Sequence, residues 1–325
     1  MGTTNTRVWF VRGAEILARA QTGVGVRDTA RDGSPARIRS ALRDLIQDVR
    51  QQVPARGITS EPACVLAAGM ITSPLGLAEV PHVAAPAGIT ELASALGRFD
   101  FPDITDLPIR LVPGVRSGPK QCDLASIGEA DVMRGEETLC LGLAALGLVR
   151  PPATVLNLGS HWKAIRLDVQ GRIQSSITSL SGELIHAAQT QTILASAVPK
   201  DRPAFLDPDW CEAGMQEQRN AGLARALFCV RLLELQRAGT PEMRISFLIG
   251  AFVAADLDAL CRQGVFARGT EVVLTGSGAI ANAWQRALDG VSIRAASLSE
   301  ADIEAGLLAG LGSIAEAAES LPQPK

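Results

Sequence analysis

No apolar run in this 325-residue chain is long enough to cross a bilayer; the longest charge-free apolar stretch, residues 139–149, is about half of what a span requires. No basic segment leading into an apolar one opens the chain, which argues against secretion. Charge of one sign is also lacking. With 31 basic and 34 acidic residues the net charge is -3, so no broad field is expected to draw nucleic acid or a membrane surface, and small molecules are the expected partners. Six cysteines stand far apart, without a C-x-x-C pair and mostly inside apolar runs, as in a reducing cytoplasm where thiols act as small hydrophobes. Three histidines, none spaced with a cysteine or another histidine as zinc requires, leave no expectation of a protein-only metal site.

What is present is a globular composition, 47% hydrophobic and 20% charged, in a chain long enough for two cores. Pro151-Pro152 follows an apolar helical run and marks a seam, predicting domains over 1–150 and 151–325. Each half opens in a similar way. Gly2-Thr3-Thr4-Asn5 feeds the strand pattern Thr6-Arg7-Val8-Trp9-Phe10-Val11, and Gly159-Ser160-His161 joins two strand patterns, 154–158 and 162–167. A second turn follows in both halves, at Gly13 and at Gly171, and then a third apolar run. The recurrence signals an internal duplication. Gly-Thr/Ser turns between strands offer backbone N–H groups and hydroxyls to one point, which suits a phosphate chain. Two such turns facing across a cleft would clamp a nucleoside triphosphate. The first copy has only Met1 ahead of its turn, where the second has a full strand, so one strand of the N-terminal domain is expected to be missing. A misassigned start would explain this, and the chain as written is expected to fold poorly or to be nearly inactive. Residues 1–6 also fit an N-myristoylation pattern, though a turn uses them better.

Further along, Ile38, Leu42, Leu45, Ile46, Val49 and Val53 recur at helical spacing, predicting an amphipathic helix over 36–53. A buried strand is expected over 64–68 and another over 109–112. The intervening 74–108 read as a loop-rich excursion with a small helix near Glu91. The second half predicts helices over 181–196, 211–237 and 241–263, then a strand at 271–274, a helix at 280–288, a strand at 291–295 and a helix at 303–318. Ser181 is the expected cap of the first of these helices. The alternation is that of α/β domains.

Three constellations carry chemistry. Gly276-Ser277-Gly278-Ala279-Ile280-Ala281 satisfies G-x-G-x-x-A between strand and helix, but too little chain follows for a dinucleotide fold, so a backbone surface for adenosine is the better use. Asp131, Arg134, Gly135, Glu136 and Glu137 crowd the entrance to an uncharged helix. Acids there suit the helix dipole. They also supply a base and hydroxyl acceptors, while Arg134 offers a bidentate grip on a carboxylate, which points to a polyol acid. His161 and Lys163 alternate with Trp162 and would support a terminal phosphate.

Together, Gly2-Thr3-Thr4-Asn5-Thr6-Arg7, Ala68-Gly69-Met70-Ile71, Val132-Met133-Arg134-Gly135-Glu136-Glu137-Thr138, Leu158-Gly159-Ser160-His161-Trp162-Lys163, Ser181-Gly182-Glu183-Leu184 and Leu274-Thr275-Gly276-Ser277 resemble the 2-dehydro-3-deoxygalactonokinase family. That family belongs to the sugar kinase, heat-shock protein and actin superfamily. The resemblance implies an α/β fold of two actin-like (ribonuclease H-like) domains with a cleft between them, and phosphorylation of the terminal hydroxyl of a 2-keto-3-deoxy sugar acid by ATP with Mg2+, in galactonate breakdown. It implies ATP contacts at Gly2, Thr3, Thr4, Asn5, Gly159, Ser160, His161, Lys163, Gly276, Ser277 and Gly278. Sugar contacts are implied at Gly69, Met70, Arg134 and Glu137. Asp131, then Glu136, are the expected bases, with Arg134 holding the substrate carboxylate. The Asp that the family carries directly before the first turn, taken to hold magnesium, has no counterpart here, and the family's aromatic near Leu75-Gly76-Leu77 is absent. A homodimer is compatible with this pattern. Two rivals remain open: a non-catalytic sugar-acid or nucleotide sensor of the same fold, and an NAD-dependent dehydrogenase.

Overall fold

In the computed structural model, which describes residues 1–54, 61–266, 271–276 and 278–321, alternating and helical apolar patterns resolve into two units. Residues 1–149, 171–175 and 301–325 form one, and 150–170 with 176–300 form the other.

The first unit begins with a hairpin. Strands β1 (Thr6–Arg12) and β2 (Glu15–Thr22) pair antiparallel around Gly13, whose φ of 58° few other residues tolerate. Helix α1 (Val26–Asp32) follows, then α2 (Ala36–Gln52), whose buried Ile38, Leu42, Leu45, Ile46 and Val49 form the expected stripe. Val49 packs with Phe10, Leu17 and Ala18 of the hairpin. The 3-residue strand β3 (Val65–Ala67) leads through β4 (Val83–Ala84), α3 (Ile89–Ser94) and β5 (Gly97–Phe99) to β6 (Ile109–Leu111), which lies parallel to β3 and antiparallel to β5. Strands β7 (Val115–Ser117) and β8 (Asp131–Met133) complete a small sheet with β4. Helix α4 (Glu136–Ala145) then packs against the C-terminal helix (Glu300–Ser320) by glycine contact. A Cβ on Gly142 would lie 1.8 Å from Gly306 O, and one on Gly310 would lie 2.0 Å from Thr138 O. Only backbone on backbone permits that approach.

The second unit is built on one five-stranded sheet. Its strands are β9 (Ala153–Leu158), β10 (Trp162–Leu167), β11 (Ile173–Ser179), β12 (Glu271–Gly276) and β13 (Ala295–Ser297), in the order β11-β10-β9-β12-β13. β9 pairs antiparallel with β10 and parallel with β12. Between β11 and β12 run α5 (Ser181–Gln191), α6 (Pro208–Ala221), α7 (Leu223–Leu235) and α8 (Pro241–Arg262), and α9 (Gly278–Gly290) follows β12. One sheet face, with Leu156, Leu158, Trp162, Ala164, Val272 and Leu274, joins a core with Ile245, Leu248, Ile249, Phe252 and Val253 of α8 and Trp284 of α9. Each buried Leu, Ile, Val or Phe side chain among these contributes roughly 1.5–3 kcal/mol by leaving water. Helix α8 is buried on nearly every side over 244–254, as an all-round apolar helix must be.

Three expectations need correction. The helix expected over 211–237 is two helices, because Gly222 at φ 82° ends α6 and starts α7. The strand expected at 291–295 forms later, as β13; the amides of Val291 and Ile293 close the end of α9 on Leu288 O, and Ser292 is left-handed at φ 61°. Ser181 does not cap α5. Leu180 holds the cap position, and Ser181 is the first helical residue with its hydroxyl engaged elsewhere.

Candidate functional site

In the second unit, β9 and β12 run side by side; Gly276 ends β12 opposite Leu158, the last residue of β9, and Gly159 follows directly, so the two glycines stand together at the carboxyl ends of parallel strands. Ligands of open α/β sheets bind at such ends. Gly276 is required there: its φ is 129°, and a Cβ would stand 2.7 Å from Leu158 O. Among the described residues, apart from its chain neighbours and its own helix, nothing lies within 4 Å of the position a Cβ would take at Gly278, and at Gly159 the nearest such atom is His161 O at 3.7 Å. Backbone at both turns is therefore open to a close-lying ligand. Ser277 lies outside the described residues.

Under these turns, on the sheet face opposite Leu156 and Leu158, runs a polar row. Thr275 is opposite Asn157 and donates from Oγ1 to Asn157 Oδ1 at 3.1 Å; Asn157 is opposite Lys163, which is buried and donates from Nζ to Thr178 Oγ1. Lys163 thus lies within the sheet layer beneath the turn. Ser160 and Gly159 present their carbonyls to Gly182 in the first turn of α5, where a Cβ would stand 2.5 Å from both oxygens. His161 Nε2 lies 3.2 Å from Glu183 Oε1. Ser179 and Ser181 donate to the carboxylate of Asp256 in α8, Ser181 at 2.8 Å.

The first unit gathers the remaining candidates around three glycines. The Gly2–Asn5 turn is closed by Gly2 N donating to Asn5 O at 2.8 Å, and Asn5 Nδ2 donates to Thr4 Oγ1 at 2.9 Å. Thr3 O accepts from Arg27 N at 3.0 Å at the start of α1, where Gly25 leaves no room for a Cβ. Met1 O accepts from Met70 N at 2.9 Å, and the Met1 amine donates to Ala68 O at 3.0 Å. Burial, then repulsion by Arg7, pulls that amine down to about 6. Gly69, at φ 92°, would set a Cβ 2.4 Å from Met1 O, and Gly135, at φ 109°, would set one 3.2 Å from Gly69 Cα. The turn, the Gly69-Met70 segment and the Arg134-Gly135 segment therefore meet backbone to backbone.

Arg134 is held in place by donating from one amino group to Thr72 Oγ1 at 2.8 Å and to Val80 O at 2.9 Å, and its other amino group lies 3.4 Å from His82 Nδ1. Gly114 makes the space: a Cβ there would lie 2.7 Å from Arg134 Cγ. Burial, then Arg134 and Arg116, push His82 down to about 4, so it is neutral beside the guanidinium. Glu137 is fully buried and turned onto its own turn; both oxygens accept from Gly135 N, at 2.8 and 2.7 Å. Desolvation, then the neighbouring Glu136, raises its carboxyl to about 7 against the lowering effect of those bonds. Oε2 of Glu136 is buried with no hydrogen-bond partner among the described residues. Asp131 starts β8 opposite Ser117, three residues before Arg134.

Sequence reasoning missed Asn157, Thr275, Ser179 and Asp256. Asp256 did carry a signal, as an acid within the otherwise apolar 247–257. Thr72 and Val80 carried none, being ordinary loop residues until Arg134 meets them.

The sequence model of the 2-keto-3-deoxy-galactonokinase family matches residues 1–310. A protein of Rhizobium meliloti (strain 1021), named as a probable 2-dehydro-3-deoxygalactonokinase, is 29% identical over 322 residues, covering 96% of this chain and 95% of the relative. The 2-dehydro-3-deoxygalactonokinase of Escherichia coli (strain K12) is 29% identical over 268 residues, covering 81% and 80%. Among solved structures, a Sinorhizobium meliloti protein described provisionally as a 2-dehydro-3-deoxygalactonokinase superposes with a TM-score of 0.75 at 24% identity, covering 98% of each chain. The activator of the 2-hydroxyisocaproyl-CoA dehydratase from Clostridium difficile, solved with bound ADPNP, superposes with a TM-score of 0.52 at 13% identity, over 100% and 97%. With glycine turns at parallel strand ends and a family match across nearly its whole length, the chain belongs to the 2-keto-3-deoxy-galactonokinase family.

Proposed function

We propose that the protein is an ATP-dependent kinase that phosphorylates the terminal hydroxyl of 2-dehydro-3-deoxy-D-galactonate, on a fold of two actin-like halves. The observation that carries the nucleotide assignment is the side-by-side placement of the Gly159 and Gly276 turns at the carboxyl ends of β9 and β12, with open backbone at both and the Lys163–Asn157–Thr275 row beneath. The same strand plan extends to the first unit if a strand in the place of β9 stood between β1 and β3 and joined the hairpin to the parallel pair.

Phosphoryl transfer asks mostly for alignment and for neutralised charge. The Gly159 turn supplies backbone N–H donors, the Gly2–Asn5 turn a second set, and the open backbone at Gly276 and Gly278 receives adenosine. Gly69, Met70 and the Arg134–Glu137 segment form the sugar side. There, Arg134, already oriented by Thr72 and Val80, directs its remaining donors to the substrate carboxylate. Glu137 acts from inside, fixing the Gly135 peptide, while Asp131 or Glu136 accepts the hydroxyl proton. Among the described residues no three Asp, Glu, His or Cys side chains converge into a cage. Magnesium, when bound with ATP, would neutralise phosphate charge.

ADP release should rise on adding 2-dehydro-3-deoxygalactonate and stay near background with the sugar acid omitted. ATP binding by calorimetry without any sugar-stimulated ADP release would overturn the kinase assignment and leave a nucleotide-binding sensor.

A further inference from the structure

We propose that Asp256 is a positioning residue that sets the phosphate-facing side of the Gly159 turn through the first turn of α5; this rests on the kinase reading above. Asp256 lies three-quarters of the way along α8, and one oxygen of its carboxylate accepts from both Ser179 Oγ and Ser181 Oγ, the latter at 2.8 Å. The two hydroxyls are 3.1 Å apart. Ser179 ends β11 and Ser181 begins α5, so the single carboxylate fastens the corner between strand and helix to α8. The next residue, Gly182, lies against the carbonyl oxygens of Gly159 and Ser160.

The consequence follows from peptide planarity. In a trans peptide the N–H points opposite to the carbonyl of the same unit. With the Gly159 and Ser160 carbonyls aimed at α5, the N–H groups of Ser160 and His161 point to the side away from it. Two adjacent N–H groups aimed at one side make an anion cradle. Moving α5 outward by even a fraction of an ångström would let these peptides tilt. Burial raises the Asp256 carboxyl against the lowering effect of its two serine donors. A buried carboxylate of this kind is not the most stable way to join a helix to a strand, since apolar packing does so at least as well. Its use here is directional.

Asp256→Asn should raise the KM for ATP, and the Kd for ATP in calorimetry, by about tenfold, leave kcat within about threefold and leave the KM for the sugar acid unchanged. Ser179→Ala/Ser181→Ala should reproduce that pattern, and adding Asp256→Asn to it should change ATP affinity little further, because all three residues form one linkage. Asp256→Glu should restore much of the affinity. If Asp256→Asn folds poorly, Ser181→Ala alone, which leaves the Ser179 bond in place, should still raise the ATP Kd about threefold. An unchanged ATP Kd in these variants overturns the inference while leaving the kinase reading intact. A uniform loss of kcat and of both KM values in step with melting temperature also overturns it, as the mark of a merely structural residue. Failure of the unaltered protein to bind ATP removes the parent reading and this inference with it.

Discussion

Replacing Glu137 with glutamine should make the protein less stable in mild acid and more stable in mild base. The carboxyl is fully buried and its folded value is about 7, against 4.5 for an ordinary glutamate. Each unit of difference is worth about 1.4 kcal/mol, so ionising Glu137 in place costs about 3 kcal/mol relative to ionising it in the unfolded chain. The sign follows from proton counting. Between pH 4.5 and 7 the unfolded chain has released this proton and the folded protein still holds it, so stability falls as pH rises through that window and levels off above 7. Glutamine carries no such penalty, but it keeps one acceptor oxygen for Gly135 N in place of two, a loss of about 1 kcal/mol. Glu137→Gln should therefore be less stable than the parent by about 1 kcal/mol at pH 4, nearly equal to it at pH 5, and more stable by about 2 kcal/mol at pH 8. Urea or thermal unfolding of both proteins at these pH values measures this, and comparing variant with parent cancels other titrating groups. A difference in stability that is the same at all of these pH values would refute the desolvation argument.

Other substitutions test contacts within each unit. Gly182→Ala places a methyl 2.5 Å from two carbonyl oxygens of the Gly159 turn and should raise the KM for ATP more than tenfold, with the KM for the sugar acid little changed in steady-state assays. Gly310→Ala drives a methyl to 2.0 Å from Thr138 O and should cost about 1–3 kcal/mol in unfolding experiments, whereas Gly312→Ala, with open space at its Cβ in the same helix, should stabilise by about 0.5–1 kcal/mol. Arg134→Lys cannot satisfy Thr72, Val80 and a substrate carboxylate from one ammonium, so the KM for the sugar acid should rise at least tenfold and the KM for ATP should hold.

What could be read from the sequence was what depends on near neighbours. The 36–53 helix, the strand–Gly159 turn–strand unit and the small helix near Glu91 were legible because periodicity, glycine and capping act within a few residues. The break at Gly222 was not, since apolar spacing continues across it and a single glycine inside a helical pattern only weakens the case for a helix. The return of the C-terminal helix to the first unit was hidden for a related reason: its glycines have meaning only once Thr138 and Gly142 are opposite them.

The same division separates the parts of the candidate site. Gly69, Gly135 and Gly276 announce themselves because each takes a positive φ that glycine supplies most readily, and Gly159 because a glycine between two strand patterns marks a turn. The groups that aim those turns belong to ordinary-looking positions far along the chain. Ser181 and Asp256 are 75 residues apart, and Arg134 and Thr72 are 62 apart. A residue that touches ligand through its backbone can thus be found by its type, while a residue that orients it by hydrogen bonding is found only by its partner. This is why the chemistry of the site was expected at Arg134 and Lys163, and why the structure alone shows the first held by Thr72 and Val80 and the second sunk beneath the turn. In a kinase, whose catalysis rests on alignment, such orienting contacts govern rate and affinity as directly as the turns they hold.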